Sequence, residues 1–492
     1  MGDGYFDPDK RELMAQEPAS SENVYRQLRI DHWNKIAQKR THWTGLGGRY
    51  HQRLTQIFKH HIPPHQRVLE VGCGDGDLLA SLQPSRGVGV DFSPEMVARA
   101  QTRHPELTFV TLDAHQADSL NETFDFIILS DLVNDLWDVQ EVFEALHKLS
   151  HPGTRILINV YSRMWQLPLL IAEGINLATP NLEQNWLTSE DLRSLLSLAG
   201  FETILTRNEI LFPLPIPLLD DLFDRILVKL WPFYLFSLTN LIIARPEPKA
   251  PPTPPTVSVI VPARNEEGNV PAIFARIPEM GGGTEIIFVE GNSKDNTYEA
   301  IEKEIPLHPD RKVKLFKQPG KGKGDAVRMG FNEASGDILM ILDADLTVPP
   351  EDLPRFYEAI ASGKGEFING VRLVYPMEEQ AMRFLNFLGN KFFSLAFSWL
   401  LSQSIKDTLC GTKVLTKKNY EIIAANRSYF GDFDPFGDFD LLFGAARMNL
   451  KILDLPIRYR ERTYGSTNIS RWSHGLLLLR MVLFAAGKLK FV

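Results

Sequence analysis

Asp343 and Asp345 stand one residue apart in I-L-D-A-D-L-T, at the end of the apolar run Ile338–Leu342. Burying one carboxylate is costly, and a second so close adds like-charge repulsion. In an extended segment, residues two apart share a side, so both acids can meet one hard cation. Mg2+ or Mn2+ would cancel the repulsion and grip the two phosphates of a leaving nucleotide diphosphate. The plainer reading is an acidic surface turn, which suits D-L-T-V-P-P-E-D but does not explain the motifs around it. Upstream lie Pro262-Ala263-Arg264-Asn265-Glu266, then Glu290-Gly291-Asn292-Ser293, then G-K-G-K-G-D-A-V-R-M-G-F over residues 320–331. Downstream lie N-G-V-R (369–372), K-D-T-L-C-G-T-K-V-L (406–415) and E-R-T-Y-G-S-T-N-I-S (461–470).

A second set of residues sits far upstream. Glu70, Gly72, Gly74 and Gly76 form E-x-G-x-G-x-G directly after an apolar run. Glycines let the backbone turn tightly and approach a ligand. Such a loop serves dinucleotide enzymes as well, so alone it decides little. The next apolar run ends at Asp91 in G-V-D-F-S-P-E-M, where a carboxylate can take both hydroxyls of a ribose. L-D-A, with Asp113 and Ala114, ends a third run, where an acid or its neighbouring amide can meet an adenine. Ser130 and Asp131 end a fourth.

Strands must present these residues. In the first half they are expected at 67–71, 88–91, 108–112, 126–130 and 155–160, with a last one at 238–244. Helical patterns at 94–102 and 139–149 separate them. Strands alternating with helices indicate a parallel sheet covered on both faces. The second half opens on the near-continuous apolar strand 257–261, with others expected at 285–289, 312–316 and 337–342. A buried parallel sheet fits again, with ligands where strands end at their carboxyl side. Residues 246–256 read P-E-P-K-A-P-P-T-P-P-T, an extended, semi-rigid joint. The expected organisation is therefore a domain at 1–245, a linker at 246–256 and a domain at 257–492.

With 492 residues the chain is too long for one ordinary domain. Its 44% hydrophobic and 23% charged residues are those of a soluble globular protein. A net charge of −8 argues against a nucleic-acid partner. Two cysteines cannot build a disulfide framework, and the acidic start M-G-D-G-Y-F-D-P-D-K lacks the features of a secretory signal. A cytoplasmic location is expected, peripheral on the cytoplasmic membrane face if the acceptor is a lipid. The uncharged stretch Phe392–Ile405 falls short of the ~20 residues a membrane span needs. Leu218–Leu230 has apolar residues at 218, 219, 222, 223, 226, 227 and 230, one helical face. Core packing is the expected use, with an acceptor pocket or a membrane contact as alternatives.

In order and spacing, the glycine loop, Asp91, Asp113 and Ser130 resemble class I S-adenosylmethionine-dependent methyltransferases, over about residues 67–159. A nicotinamide enzyme is the competing reading of the loop. The resemblance implies a Rossmann-like sheet binding S-adenosylmethionine. Glu70, Gly72 and Gly74 would shape the methionine side, Asp91 would bind ribose, Asp113 and Ala114 would face adenine, and Ser130 would complete the pocket. Methyl transfer can run mainly by positioning, so no strong catalytic motif is required. His32 and Trp33 gain no catalytic role from the sequence.

The second half resembles inverting family 2 glycosyltransferases of the GT-A fold, most of all the polyprenyl (dolichyl) phosphate enzymes, over most of residues 257–475. The resemblance implies an α/β protein with a second, nucleotide-sugar-binding sheet. Pro262, Arg264 and Glu266 would lie around the nucleotide, and Glu290 would bind the base or ribose. Asp343 and Asp345 would hold pyrophosphate through the metal, and Arg372 and Arg462 match basic positions near phosphates. Asp407, Asp438 and Asp440 are candidate general bases. Three positions depart from the family pattern: Gly291 replaces the second acid of D-D-G-S, Thr347 replaces a metal-binding glutamine, and Asn468 replaces a lysine. Asn468-Ile469-Ser470-Arg471-Trp472 only faintly matches the Q-x-x-R-W of processive sugar polymerases.

Over 380–404, Phe384, Leu385, Leu388, Phe392, Leu395, Ala396 and Trp399 share one helical face. Such a helix can lie on a bilayer surface beside a lipid acceptor, or close a core or a dimer contact. The expectation is a bifunctional enzyme with a polyprenyl-phosphate or other lipid-linked acceptor. The alternatives are a soluble sugar or protein acceptor, and a first half that binds cofactor without turnover.

Overall fold

The apolar runs that end in acids and glycines become the inner strands of two sheets. The computed structural model describes residues 21–39, 45–174, 182–212, 216, 218–372, 384–429, 439–460, 462, 464 and 471–492. Contacts divide the chain into two units, Met1–Pro246 and Glu247–Val492, each with a seven-stranded, mostly parallel sheet.

In the first unit the strands are β1 (Arg67–Val71), β2 (Arg86–Asp91), β3 (Thr108–Thr111), β4 (Phe124–Ser130), β5 (Ser150–Tyr161), β6 (Phe201–Glu209) and β7 (Thr239–Pro246). Their order is β3-β2-β1-β4-β5-β7-β6. The first five are parallel, and β7 runs antiparallel to both its neighbours, β5 and β6. Val68, Leu69 and Val71 are fully buried, as are Ile127, Ile128 and Leu129 beside them. Each such side chain contributes roughly 1.5–3 kcal/mol. The connection from β1 leads to β2 on one side, while β4 lies on the other. The order therefore reverses between β1 and β4, which opens a crevice beyond their carboxyl ends.

The apolar face expected over Leu218–Leu230 is not buried in this core. A short helix, Leu219–Asp221, runs into a π-turn at Leu222–Ile226 and a 3-10 turn at Leu227–Lys229. Asp220, Asp224 and Lys229 face inward. Asp224 accepts from the Leu211 and Phe212 amides at 2.7 and 2.8 Å, Asp220 pairs with Arg49, and Lys229 pairs with Glu209. The leucines therefore turn outward, with Leu218 84% exposed and Leu219, Leu222 and Ile226 about 40%. Satisfying buried charges outweighed burying this apolar face.

The second unit contains β8 (Val257–Ala263), β9 (Thr284–Glu290), β10 (Lys312–Lys317), β11 (Ile338–Ile341), β12 (Phe367–Val371), β13 (Lys413–Thr416) and β14 (Ile452–Pro456), in the order β10-β9-β8-β11-β13-β12-β14. Only β13 runs antiparallel to its neighbours. The order reverses between β8 and β11, which places a second crevice beyond Ala263 and Ile341. The helix Lys323–Glu333 lies across β8 and β9, with Ala326, Val327 and Phe331 in the core beside Ile260 and Ile287. A Cβ at Gly330 would come within 2.6 Å of Ile260 Cγ2, so glycine lets the helix sit this close and bring Lys323 over the crevice.

The helix Phe384–Leu401 buries Phe397, Leu400 and Leu401 but exposes Phe392 and Leu395. It contacts the helix Arg471–Ala485, which exposes Leu476, Leu479 and Leu483. Among the described residues, no helix is long and apolar enough to cross a membrane.

Candidate active sites

The crevice of the first unit holds a cleft of ≈ 220 Å³ lined by Glu70, Gly72, Gly74, Asp91, Ser130 and Asp131, among others. Gly72, Gly74 and Gly76 all have positive φ, at 72°, 50° and 76°. That backbone is cheap only for glycine. At Gly76 a Cβ would also strike Phe109 at 2.6 Å. The loop is tied to its neighbours by acids. Asp91 accepts from the Gly74 amide at 3.0 Å and the Ser93 amide at 2.9 Å, and Glu70 accepts from the Leu79 amide at 3.1 Å. Burial pushes Glu70 up to about 8 and Asp91 up to about 6, against those hydrogen bonds.

Asp131 follows β4 with φ 52°. Tyr50 donates to its Oδ1 at 2.8 Å and the Asn159 amide donates at 2.6 Å, while Tyr50 stacks on Tyr161. Burial holds this carboxyl at about 7. Trp33 and His51 also line the cleft. In the sequence Asp131 ends its strand without a distinguishing role, and Tyr50 and His51 give no signal, because their helix, Gly45–His61, carries no local motif. Asp113 does not line the cleft. Its carboxylate lies between Arg26 at 2.8 Å and His115 at 2.6 Å, and it caps the 3-10 helix Ala114–Leu120.

In the second unit, a cleft of ≈ 290 Å³ brings together Pro262 near the end of β8, Arg264 and Glu266 after it, and Asp343 and Asp345 after β11. Arg462, Lys323 and Gln318 also line it. The Asn265 turn, at φ 56°, is held by Ser293 and Lys294: its amide donates to Ser293 Oγ at 3.0 Å, and its side chain accepts from the Lys294 amide at 2.8 Å. Glu290 is buried and accepts from the Ser293 amide at 2.5 Å, so Gly291 rather than Glu290 faces the cleft. A Cβ at Gly291 would press on Gln318 and Arg264 at 3.2 and 3.3 Å, which fits glycine where an acid was expected.

The two acids are not left to repel each other. Lys323 Nζ lies 2.7 Å from Asp343 Oδ1, and Arg462 Nη2 lies 2.7 Å from Asp345 Oδ2. Thr347 donates to Asp345 Oδ1 from its hydroxyl at 2.8 Å and its amide at 3.1 Å. Thr347 therefore orients a candidate metal ligand from behind. Among the described residues there is no cluster of three or more metal-ligating acids, histidines or cysteines. Two carboxylates facing one cleft still suit a hard cation whose remaining positions are filled by phosphate or water.

Arg372 and Asp407 depart from expectation. Asp407 takes Arg372 Nε at 2.7 Å and Nη2 at 2.9 Å, along with the amides of Arg372 at 3.1 Å and Leu409 at 3.0 Å. Burial opposes the charge, but Arg372 wins and holds the carboxyl below its usual range. Neither residue lines the cleft. Asp407 has every acceptor position engaged and a lowered proton affinity, both unfavourable for a general base. Asp440 is buried against Arg427 at 3.1 Å and Arg328 at 3.9 Å and is likewise absent from the lining. Asp438 and Asn468 lie outside the described residues.

Comparison with known proteins agrees with this division. Residues 258–415 match the model of glycosyl transferase family 2, and residues 42–206 match that of a methyltransferase domain. The chain joins a methyltransferase domain to a family 2 glycosyltransferase domain. The second half is 40% identical over 109 residues to a dolichol-phosphate mannosyltransferase of Pyrococcus furiosus, 22% of this chain and 30% of that one. It is 33% identical over 111 residues to an undecaprenyl-phosphate 4-deoxy-4-formamido-L-arabinose transferase of Aeromonas hydrophila, 22% of this chain and 34% of that one. Glycosyltransferase AglJ of Haloferax volcanii is 26% identical over 220 residues, 44% of this chain and 68% of that protein. The chain thus spans about a third of the length of the first two relatives. The expectation of two transferase domains on two α/β sheets is met.

Proposed function

We propose that the protein is bifunctional. Its second domain transfers a sugar, with inversion, from a nucleotide sugar to a polyprenyl-phosphate or other lipid-linked acceptor. Its first domain transfers a methyl group from S-adenosylmethionine. One observation carries the first assignment: the Asp343–Asp345 turn and the Pro262–Glu266 turn meet in a single cleft at the reversal of strand order, ringed by Lys323 and Arg462. Asp343 and Asp345 would hold Mg2+ or Mn2+, and such a cation stabilises a leaving diphosphate. Arg462 and Lys323 orient phosphate oxygens, Arg264 and Glu266 lie on the nucleotide side, and Glu290 sets the Ser293 turn beneath it.

A phosphorylated acceptor agrees with the state of the acids. A phosphate oxygen attacks as an anion and requires no carboxylate to deprotonate it, and Asp407 and Asp440 are both engaged with arginines. The relatives act on dolichol-phosphate and undecaprenyl-phosphate by their names, which supports the same class here. The outward leucines and phenylalanine of helices Phe384–Leu401 and Arg471–Ala485 are suited to rest on a cytoplasmic membrane surface.

In the first domain Glu70, Gly72 and Gly74 would take the methionine end and Asp91 the ribose, with Ser130 beside them; Ala114, like Asp113, does not line the cleft. S-adenosylmethionine supplies an activated methyl group, and the cleft's work is to position it. Two domains in one chain favour a shared product, such as a methylated glycolipid.

The test is a panel of nucleotide sugars offered with polyprenyl phosphates and read by mass spectrometry. Transfer should appear with one donor and fall by about 10²-fold or more in Asp343→Asn and Asp345→Asn. Metal-dependent transfer unchanged in both variants would reject the assignment.

A further inference from the structure

The cation partners of the acidic turn sit where a divalent ion would have to go. Lys323 Nζ is 2.7 Å from Asp343, and Arg462 Nη2 is 2.7 Å from Asp345 and 3.6 Å from Glu266. Lys323 is the first residue of its helix, preceded by Gly322 at φ 88°, and its side chain is 30% exposed. Its long stem can swing without moving the helix. Gly411 walls the pair on the other side: a Cβ there would collide with both Asp343 Oδ2 and Lys323 Nζ. The backbone of residue 411 thus leaves room for a carboxylate and one cation and little else.

A dication approaching this turn meets two positive charges already neutralising its ligands, and like charges at such range oppose it. A diphosphate reverses that balance. It offers the ammonium and guanidinium a more highly charged anion, and the start of the helix adds its own attraction for phosphate. We propose that Lys323 is the resident counterion of Asp343 and that a nucleotide's diphosphate must draw it away before the turn accepts a divalent cation. The proposal rests on the reading of this cleft as the nucleotide-sugar site. Cation and diphosphate then bind cooperatively, each tightening the other by the same factor. Lys323 is a positioning residue that keeps the unliganded turn from collecting metal.

The experiment is calorimetric titration of the full chain with Mn2+ alone, with UDP or GDP alone, and with Mn2+ in the presence of each. In the wild type, a nucleoside diphosphate should tighten Mn2+ by about tenfold or more. Lys323→Met should bind Mn2+ without nucleotide about tenfold more tightly than wild type and lose most of the coupling. Lys323→Arg, which keeps the charge, should retain it; this variant separates loss of the counterion from damage to the fold. Equal Mn2+ affinity in wild type and Lys323→Met, with or without diphosphate, would overturn the proposal. Failure of the wild type to bind any Mn2+–diphosphate combination would instead overturn the nucleotide-sugar assignment, and the proposal with it.

Discussion

Arg372 and Asp407 form a two-point ion pair inside the second unit, Nε to Oδ2 at 2.7 Å and Nη2 to Oδ1 at 2.9 Å. The Asp407 side chain is only 1% exposed. A pair this buried is costly to break, because removing one partner strands the other charge. Asp407→Ala should therefore destabilise the second unit by about 3–5 kcal/mol, and replacing both residues with apolar ones should recover much of that. Denaturant unfolding of the single and double variants measures it. If Asp407 were the base, the single variant would keep its stability and lose turnover.

Gly411 offers a sharper probe of the cleft. Its φ is not positive, so alanine imposes no backbone strain; the nearest atoms a Cβ would strike belong to the Lys323–Asp343 pair. Gly411→Ala should leave the melting temperature nearly unchanged and weaken Mn2+–nucleotide binding by about tenfold or more, as the Asp343 carboxylate and the phosphate-facing Lys323 ammonium are both pushed aside. Paired melting and titration curves decide it. A large loss of stability with intact binding would count against the geometry described.

The sequence displayed the strands whose apolar runs stop at an acid or a glycine, which is why both crevices could be located from it. Strands with mixed polarity did not stand out. β13 carries Lys413, fully buried, its ammonium held by Asn369 Oδ1 and the Cys410 carbonyl, both at 2.6 Å. A lysine in the middle of a sheet hides the strand from any hydrophobic pattern. The acids 343 and 345 were legible for the same reason as their strand, but their partner Arg462 comes from 117 residues away and has no local signal. Leu218–Leu230 failed in the opposite sense. Its apolar spacing was real, yet the inward face was decided by Asp220, Asp224 and Lys229 finding partners elsewhere in the fold.

The buried carboxyl of Asp131 should make the first unit lose stability as pH rises towards neutrality. Burial raises its folded value to about 7 from the ordinary 3.8. Between those values the unfolded chain has released the proton and the folded chain still holds it. The Asp131 contribution to stability accordingly falls as pH rises through this window and levels off above about 7. Asp131→Asn removes the ionisation, keeps a carbonyl acceptor for Tyr50, and should flatten that part of the profile. Calorimetric melting of the full chain from pH 4 to 8, following the transition of the first unit, tests the slope. A wild-type profile as flat as the variant's would show that the carboxyl ionises freely in the fold.

Asp91 should impose the reverse dependence on cofactor binding. Its carboxylate is the group that can accept both ribose hydroxyls, and only the charged form accepts them well. Burial, partly offset by the amides of Ser93 and Gly74, raises it to about 6. At pH 5 only about a tenth of the molecules carry the charged form, so affinity for S-adenosylmethionine should drop about tenfold between pH 7 and pH 5. Each binding event at pH 6 should also release a fraction of a proton, visible as a dependence of the measured heat on the buffer's ionisation enthalpy. Asp91→Asn should bind more weakly at pH 7 and lose both effects. If the wild type instead binds with one affinity across pH 5–7 and the variant matches it, the ribose lies elsewhere and Asp91 serves only to hold the Gly74 turn.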